Sequence, residues 1–241
     1  MSELAQRPWF YYIANPGMRV IFRFLLRVNL RGLENIPRQG PVIIAISHSS
    51  FLDPLVACAY ASRIVIPMAK AEVFEQPVIG FVLRLYGAFS VRRGQVDVTA
   101  VKMALKILQN QLMLIIAPEG HRSETGSLQQ GREGAIILAL RSGAPIMPVA
   151  VWGGKAFWKN LARLRRTEIN YFVGKPVLPA EMKPTRDQVN GMSHELMLRI
   201  AEMMPRELHG YYTDWAGPQS GYLKAFDAAA VMPIKEVANV S

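Results

Sequence analysis

Residues 42–54 read VIIAISHSSFLDP, an apolar run that passes into a polar turn and then into a helical pattern. The run Val42–Ile46 predicts a buried strand. Asp53 followed by Pro54 is typical of a helix N-terminus, because aspartate accepts hydrogen bonds from free backbone N–H groups and proline fits the first helical position. His48 is therefore predicted to lie in a turn beyond the carboxyl end of a strand, which is where open α/β sheets bind ligands.

His48 and Asp53 form a candidate catalytic pair. A neutral imidazole accepts a proton from a hydroxyl, while a nearby carboxylate holds the other ring N–H and stabilises the charge that develops. The alternative is that the spacing is accidental and Asp53 is only a helix cap. A second polar segment, APEGHRS at residues 117–123, follows the apolar run 112–116 and is predicted to emerge at the same edge of the sheet.

These two segments resemble the glycerophospholipid acyltransferase family, whose members carry a His-x-x-x-x-Asp motif followed by a Pro-Glu-Gly-Thr-Arg-Ser motif. The resemblance covers residues 18–180. Two positions depart from the pattern, since Ser47 replaces an asparagine common in the family and His121 replaces a threonine. Neither change removes a group that the chemistry needs. His121 is expected either to alter the choice of acceptor or to add pH dependence, and the alternative is that it simply faces solvent.

A set of substrate-binding residues follows from the same resemblance. The family assigns the arginine corresponding to Arg122 to the acceptor phosphate. Lys70 and Arg93 stand at predicted strand ends, where cations suit a phosphate, although solvated surface is the alternative. Glu119 is interpreted as orienting the acceptor, with bracing of its loop as the alternative. A tight turn at Glu119 and Gly120 is predicted to present N–H groups to an oxyanion.

Composition narrows the class of protein. The chain has 241 residues, 51% of them apolar, which suits one sizeable domain. A single cysteine, Cys58, excludes an internal disulfide and a zinc-binding cysteine cluster, and no metal site is expected. The net charge of +10 indicates an anionic partner. Without zinc-finger spacing or a ribonucleoprotein signature, nucleic acid is not the expected partner.

The N-terminal segment predicts contact with a membrane surface. Residues 9–28 suggest two short helices separated at Asn15–Gly17. No uncharged apolar run reaches the roughly 18 residues needed to span a bilayer. The second helix instead carries a basic stripe that suits the headgroup layer, the alternative being a core-packed helix with a salt-bridged outer face. The stripe consists of Arg19, Arg23, Arg27 and, at its end, Arg31.

A second basic patch contains aromatic residues and lies further along the chain. It suits a membrane interface or an acidic carrier protein, with a solvated helix face as the alternative. Because residues 1–7 show no cleavable signal segment, the expected location is the cytoplasmic face of a membrane, with peripheral or monotopic attachment. The patch comprises Lys155, Phe157, Trp158, Lys159, Arg163, Arg165 and Arg166.

The order of strand and helix patterns predicts the fold class. Apolar runs alternate with helical periods, including helices at 96–110, 133–142 and 185–204, which favours a single α/β domain with a largely parallel central sheet flanked by helices. We assign this domain to residues 31–204. It is preceded by the N-terminal membrane-associating helical pair in residues 1–30 and followed by a tail, residues 205–241, of unassigned role.

The resemblance implies an activity: transfer of a fatty acyl group from an acyl thioester to the free hydroxyl of 1-acylglycerol-3-phosphate, giving phosphatidic acid. Acyl-CoA or acyl carrier protein would be the donor, and no other cofactor is expected. One alternative keeps the chemistry but uses another lysophospholipid, an amino-acid lipid or a glycolipid as acceptor. Another is a catalytically silent lipid-binding protein. Hydrolysis is disfavoured because the chain lacks a Gly-x-Ser-x-Gly nucleophile elbow.

Overall fold

One mixed sheet organises the described residues, which are 8–92, 97–214 and 221–226 of this computed structural model. Its nine strands in those residues are β1 Leu26–Arg31, β2 Val42–Ile46, β3 Val65–Lys70, β4 Phe89–Val91, β5 Met113–Ile116, β6 Ile146–Trp152, β7 Thr167–Val173, β8 Val177–Pro179 and β9 Leu223–Ala225. The helices are α1 Pro8–Leu25, α2 Leu52–Tyr60, α3 Pro77–Leu85, α4 Val98–Gln109, α5 Gly134–Ser142, α6 Phe157–Leu161 and α7 Arg186–Ala201.

The strand order is β1-β7-β6-β2-β5-β3-β4, with β8 pairing to β6 and β9 to β8. Five pairs are parallel, namely β1 with β7, β2 with β5, β2 with β6, β3 with β5 and β3 with β4. The pairs β6–β7, β6–β8 and β8–β9 are antiparallel. The predicted α/β fold with a mostly parallel sheet flanked by helices is therefore confirmed.

The central strands are buried along their whole length. Every residue of β2 and β5 is buried, as are the first six residues of β6. Such continuous apolar runs are typical of parallel strands covered on both faces. The predicted helices around them are confirmed as α4, α5 and α7, the last starting with a capping box between Thr185 and Gln188.

The predicted N-terminal helical pair is wrong, because residues 8–25 form one helix that contains Pro16. Contacts on both sides of the proline hold the helix together. Before it, Tyr11 is buried and the hydroxyl of Tyr86 lies 2.9 Å from Asn15 Oδ1. After it, Phe22 is buried in the core. Tertiary packing thus outweighs the local helix-breaking tendency of proline.

The segment after the helix is a strand, where a helix was predicted up to residue 28. Residues 26–31, LRVNLR, alternate between apolar and polar, and the strand they form pairs with β7 in register from Leu26 opposite Thr167. The strand-like period of two and the pairing decide against helix. The last five residues of the predicted membrane segment, 26–30, therefore belong to the sheet.

The predicted arginine stripe is consequently divided. Arg19 Nε donates to the carbonyl of Ala59, and its guanidinium lies 5.7 Å from the ring centre of Tyr60, so it packs on α2. Arg27 and Arg31 lie in β1. Arg23 is exposed on α1, and exposed apolar side chains lie on the same helix: Ile13, Val20, Ile21 and Phe24. In the part of the chain that the structure describes, no helix is both long and apolar enough to span a bilayer.

The described parts of the predicted tail pack against the domain. The N–H of Leu128 donates to the carbonyl of Leu208 at 2.9 Å, and the N–H of Tyr211 donates to the carbonyl of Leu128 at 3.0 Å. The buried Tyr212 accepts through its hydroxyl from the N–H of Gly131 at 2.9 Å. These contacts support the long loop that follows β5.

Candidate active site

The carboxyl ends of four parallel strands meet at one edge of the sheet. Strands β2 and β5 are neighbours, and Ala45 lies opposite Ile116, so the polar segments that follow them emerge side by side. Strands β3 and β4 end at the same edge with Lys70 and Val91. This edge is where an open α/β sheet is expected to bind its ligand.

His48 and Asp53 are in contact in the turn after β2. Nδ1 of His48 lies 3.2 Å from Oδ2 of Asp53, whose side chain is fully buried. The same carboxylate oxygen accepts from the N–H of Ser49 at 2.8 Å and from the N–H of Ser50 at 2.7 Å. Three convergent donors hold the carboxylate in place, and the carboxylate in turn orients the imidazole.

The predicted capping role of Asp53 is wrong. Helix α2 begins at Leu52, which makes Asp53 its second residue and Pro54 its third, and the carboxylate reaches back to the preceding turn instead of forward into the helix. The other carboxylate oxygen, Oδ1, is covered and has no hydrogen-bond partner in the described residues. A Cβ at Gly154 would lie 3.3 Å from this oxygen and 2.8 Å from Cβ of Ser50, so a larger residue would press on the turn.

Ser47 connects the same turn to the neighbouring strand. Its buried Oγ donates to the carbonyl of Val151 at 3.1 Å and accepts from the N–H of Val151 at 2.7 Å. On the far side of the turn, the hydroxyl of Tyr171 donates to the carbonyl of Asp53. The departure from asparagine at position 47 therefore leaves a side chain that fixes the start of the turn.

Glu119 links two loops. The side chain is almost completely buried, with Oε1 accepting from the N–H of His48 and Oε2 from the N–H of Gln129, both at 2.9 Å. Burial raises the pKa of this carboxyl above its ordinary value of 4.5, partly offset by the two N–H donors. The N–H of Ser123 also donates to the carbonyl of His48 at 2.7 Å. These contacts favour loop bracing over orientation of an acceptor.

The turn at Gly120 is as tight as predicted. Its φ is +78°, a conformation that favours glycine, and its N–H donates to the carbonyl of Ala117 at 3.0 Å. That N–H is committed to the turn, so the expectation that Gly120 would offer it to an oxyanion is wrong. A Cβ at this position would lie 2.9 Å from Cδ and Nε of Arg132, which shows that the arginine stem passes over the turn.

A cavity of about 460 Å³, here called the His48 cavity, opens beside the imidazole. Strand ends, the first turn of α2 and the loop after β5 supply its apolar lining: Ile46, Pro54, Met68, Val91, Ile115, Ile116, Ala117 and Pro118. Three exposed basic side chains also line it, Arg92, His121 and Arg132. The cavity therefore offers apolar surface next to the histidine and basic groups at its rim.

Arg92 and Arg132 were not among the predicted site residues. The pattern of strand ends did point to this edge, but it selected Arg93, which lies outside the described residues. Arg92 directly follows β4 and its N–H donates to Asp97 at 2.9 Å. The only sequence signal for Arg132 was its place just before a helix, which says nothing about the path of a loop that starts at residue 117.

Arg122 lines a different cavity, here called the Arg122 cavity, with a volume of about 300 Å³. Its lining includes Ser49 and Ser50 together with an aromatic cluster in which the rings of Phe51 and Trp158 stack at 5.5 Å. Lys70 pairs with Glu72 at 2.9 Å, and neither residue lines one of these two cavities in the described part of the chain. Of the predicted substrate-binding residues, Gly120 lines the His48 cavity, whereas Arg122 does not.

A third, more open space of about 690 Å³ lies beyond Arg132 and is here called the polar trough. It shares His121 and Arg132 with the His48 cavity and is otherwise lined by Gln129, Gln130, Gly131, Glu133 and Asn190. Among residues 8–92, 97–214 and 221–226, no group of three or more His, Cys, Asp or Glu side chains is placed to hold a metal ion.

The fold and the site define an α/β protein with a histidine–aspartate pair at the carboxyl edge of its parallel strands. The sequence model of the acyltransferase family matches residues 27–152, more than half of the 241 residues. The chain belongs to the acyltransferase family, and the resemblance noted from its two motifs is confirmed.

Individual relatives are 26–31% identical to the chain over the stretches that align with it. A 1-acyl-sn-glycerol-3-phosphate acyltransferase of Bacillus subtilis is 27% identical over 197 residues, covering 80% of this chain and 96% of that protein. A chloroplastic 1-acyl-sn-glycerol-3-phosphate acyltransferase of Brassica napus is 26% identical over 201 residues, covering 80% of this chain. The counterpart of Borreliella burgdorferi is 31% identical over 140 residues, covering 56% of each.

The match spans 57% of the Brassica napus protein, so the chain covers little more than half the length of some curated relatives. Among solved structures, the 1-acyl-sn-glycerophosphate acyltransferase PlsC from Thermotoga maritima superposes with a TM-score of 0.62 over 86% of this chain and 81% of that chain. At 20% sequence identity this likeness establishes the fold.

Proposed function

We propose that this protein transfers a fatty acyl group from an acyl thioester to the free hydroxyl of 1-acylglycerol-3-phosphate, giving phosphatidic acid. The observation that carries the proposal is the contact of His48 Nδ1 with the buried Asp53 carboxylate, beside a cavity with an apolar lining and a basic rim. The names of the relatives support the choice of acceptor.

His48 acts as the general base in this proposal. With Nδ1 held by Asp53, Nε2 is the ring nitrogen that accepts the proton of the acceptor hydroxyl. The hydroxyl oxygen attacks the thioester carbonyl, the new C–O bond forms, and the C–S bond breaks as the tetrahedral intermediate collapses. The imidazolium then returns its proton to the departing thiolate. Because a thioester is already activated, the scheme needs no covalent acyl-enzyme.

Asp53 stabilises the imidazolium that exists between the two proton transfers. The carboxylate is fully buried, so little solvent screens its attraction for the charged ring. In the proposed scheme the donor is acyl-CoA or acyl carrier protein, and no metal ion or further cofactor takes part. Arg122, Lys70 and Arg93 stay predictions as contacts to the acceptor phosphate.

We also propose that α1 docks on the cytoplasmic face of a membrane, where the lysophospholipid acceptor is found. Its exposed Val20 and Phe24 suit the apolar side of a headgroup layer. The double variant Val20→Ser, Phe24→Ser is expected to lose most co-sedimentation with anionic vesicles. Val98→Ser is the matched control, since Val98 and Val20 are each 57% exposed and lie on different helices. Equal binding by all three proteins would contradict docking through α1.

The first test incubates the purified protein with a long-chain acyl thioester and lysophosphatidic acid in mixed micelles. Thiol release and lipid product are followed together. His48→Ala is expected to lower turnover by at least about 100-fold, the low end of the contribution of a general base. His209→Ala serves as a control, because His209 Nε2 lies 3.1 Å from the carbonyl of Met204, and His209 lines neither the His48 nor the Arg122 cavity.

Each outcome of this test separates the candidate functions. Thiol release that needs the acceptor and yields phosphatidic acid supports the proposal. Release without acceptor indicates hydrolysis. Substantial turnover by a folded His48→Ala protein would contradict the mechanism, and absence of release with both donors would favour a silent lipid-binding protein.

A further inference from the structure

The His48 cavity changes character from one end to the other. Ends of four strands line it with apolar side chains, among them Ile46, Met68 and Ile115. At the other end stand His121 and Arg132, which also line the polar trough. The lining thus combines apolar surface and the imidazole with cations, Arg132 on the side shared with the polar trough and Arg92 after the end of β4. These are the kinds of surface that the hydrocarbon chain, the hydroxyl and the phosphate of a lysophospholipid need.

Arg132 occupies the junction between the two spaces. The backbone N–H of Arg132 donates to the carbonyl of Pro118 at 2.8 Å, which fixes this residue to the start of the loop after β5. Its stem passes over the turn at Gly120. In the described residues no carboxylate lies within ion-pair distance of its guanidinium. Nearby Glu119 uses both oxygens to accept from backbone N–H groups.

We infer that Arg132 binds the phosphate of the acceptor while the acceptor hydroxyl lies at His48. This inference rests on the proposed function and adds a phosphate contact on the same side of the turn as the imidazole. A guanidinium suits this place, because its planar fork makes two parallel hydrogen bonds to phosphate oxygens. The hydrocarbon chain of the acceptor would then lie along the strand ends, and the phosphate would face the polar trough.

The competing explanation is that Arg132 only supports the turn at Gly120. Two variants separate charge from packing. Arg132→Met keeps an unbranched apolar stem over the turn but removes the charge, whereas Arg132→Lys keeps a charge without the bidentate fork. Turnover is measured with lysophosphatidic acid and with monoacylglycerol, which has the hydroxyl and the chain but no phosphate.

For Arg132→Met we expect the KM for lysophosphatidic acid to rise about 10- to 100-fold, the range set by one charge-assisted hydrogen-bonded contact. The kcat is expected to change much less. The KM for monoacylglycerol is expected to change much less than the KM for lysophosphatidic acid, and the KM of Arg132→Lys for lysophosphatidic acid is expected to fall between those of wild type and Arg132→Met. Competitive inhibition of Arg132→Met by glycerol 3-phosphate should be weaker than that of wild type, in parallel with the rise in the KM for lysophosphatidic acid.

An unchanged KM for lysophosphatidic acid, or an equal loss with both acceptors, would overturn the inference and leave Arg132 as a support for the turn. Failure of the proposed function can be told apart from failure of this inference, because in the first case the wild-type protein itself shows no turnover. In that case equilibrium binding of both lipids in micelles replaces kinetics. Equal affinity of wild type and Arg132→Met for lysophosphatidic acid would then overturn the inference.

Discussion

The His48 cavity and the Arg122 cavity lie on the two sides of one turn but differ in their walls. The first is lined by the ends of β2, β3, β4 and β5 and has basic groups at its rim. The second is lined by serines of the turn, by aromatic rings and by the basic residues Arg122 and Lys155. Only the His48 cavity therefore places apolar strand-end side chains next to the histidine.

The difference shows how one loop supplies both sides. Gly120 and His121 line the His48 cavity, whereas the next residue, Arg122, lines the other. The left-handed conformation of Gly120 turns the chain sharply, and the N–H of Ser123 then attaches the loop to the carbonyl of His48. Neighbouring residues in sequence therefore face different spaces.

The largest expected effect is on kcat and comes from the contact between His48 and Asp53, beside the His48 cavity. In Asp53→Asn the negative charge that stabilises the imidazolium is lost, whereas the amide oxygen can still accept from the N–H groups of Ser49 and Ser50, which converge with Nδ1 on one oxygen. We expect kcat to fall by about 10²- to 10⁴-fold, in line with such changes in histidine–aspartate pairs. Steady-state kinetics at several pH values, with far-ultraviolet circular dichroism to verify folding, checks this. Near-normal kcat in a folded variant would show that the charge of Asp53 does not assist the base.

A smaller effect compares the two cavities directly. If the acceptor phosphate lies on the His48 side, Arg132→Met raises the KM for lysophosphatidic acid more than Arg122→Met does, by about tenfold or more. The same charge is lost in both variants, so each controls for the change in net charge of the other. A larger effect of Arg122→Met would place the phosphate in the Arg122 cavity, as the family resemblance predicts.

The smallest effect concerns the carboxylate that joins the two loops. In Glu119→Gln one carboxylate oxygen becomes an NH2 group, which cannot accept from a backbone N–H, so the N–H of either His48 or Gln129 loses its partner. We expect the free energy of unfolding to fall by about 1–2 kcal/mol at neutral pH, measured by urea denaturation. A change within error would show that solvent or another group replaces the lost acceptor.

The pH dependence of that difference follows from the raised pKa of Glu119. A carboxyl whose folded pKa lies above its unfolded value of 4.5 stabilises the fold fully at pH below 4.5, and this contribution is lost as the pH rises through the folded pKa. The advantage of wild type over Glu119→Gln is therefore expected to shrink as pH rises through that window. An advantage that grows with pH would contradict the raised pKa.

The sequence predicted more of the fold than of the site. Helices α4, α5 and α7 were predicted because apolar side chains recur with the helical period and clear stop signals follow them. Strand β1 was missed, because a six-residue alternation next to a helix is a weak local signal, and its pairing partner lies 141 positions away, as in Leu26 opposite Thr167. Asp53 was correctly placed near His48, but the direction of its side chain was not predictable from local capping rules.

Local chemistry in the chain was enough to identify two polar segments after buried strands, and hence a histidine, an aspartate and a glutamate at one sheet edge. This works because apolar runs and turn residues act over a few positions. Which cations share a cavity with His48 depends on a positive-φ turn at Gly120 and on a loop that returns Arg132 to its own start. Those are long-range arrangements of backbone and loops, and only the tertiary structure decides them.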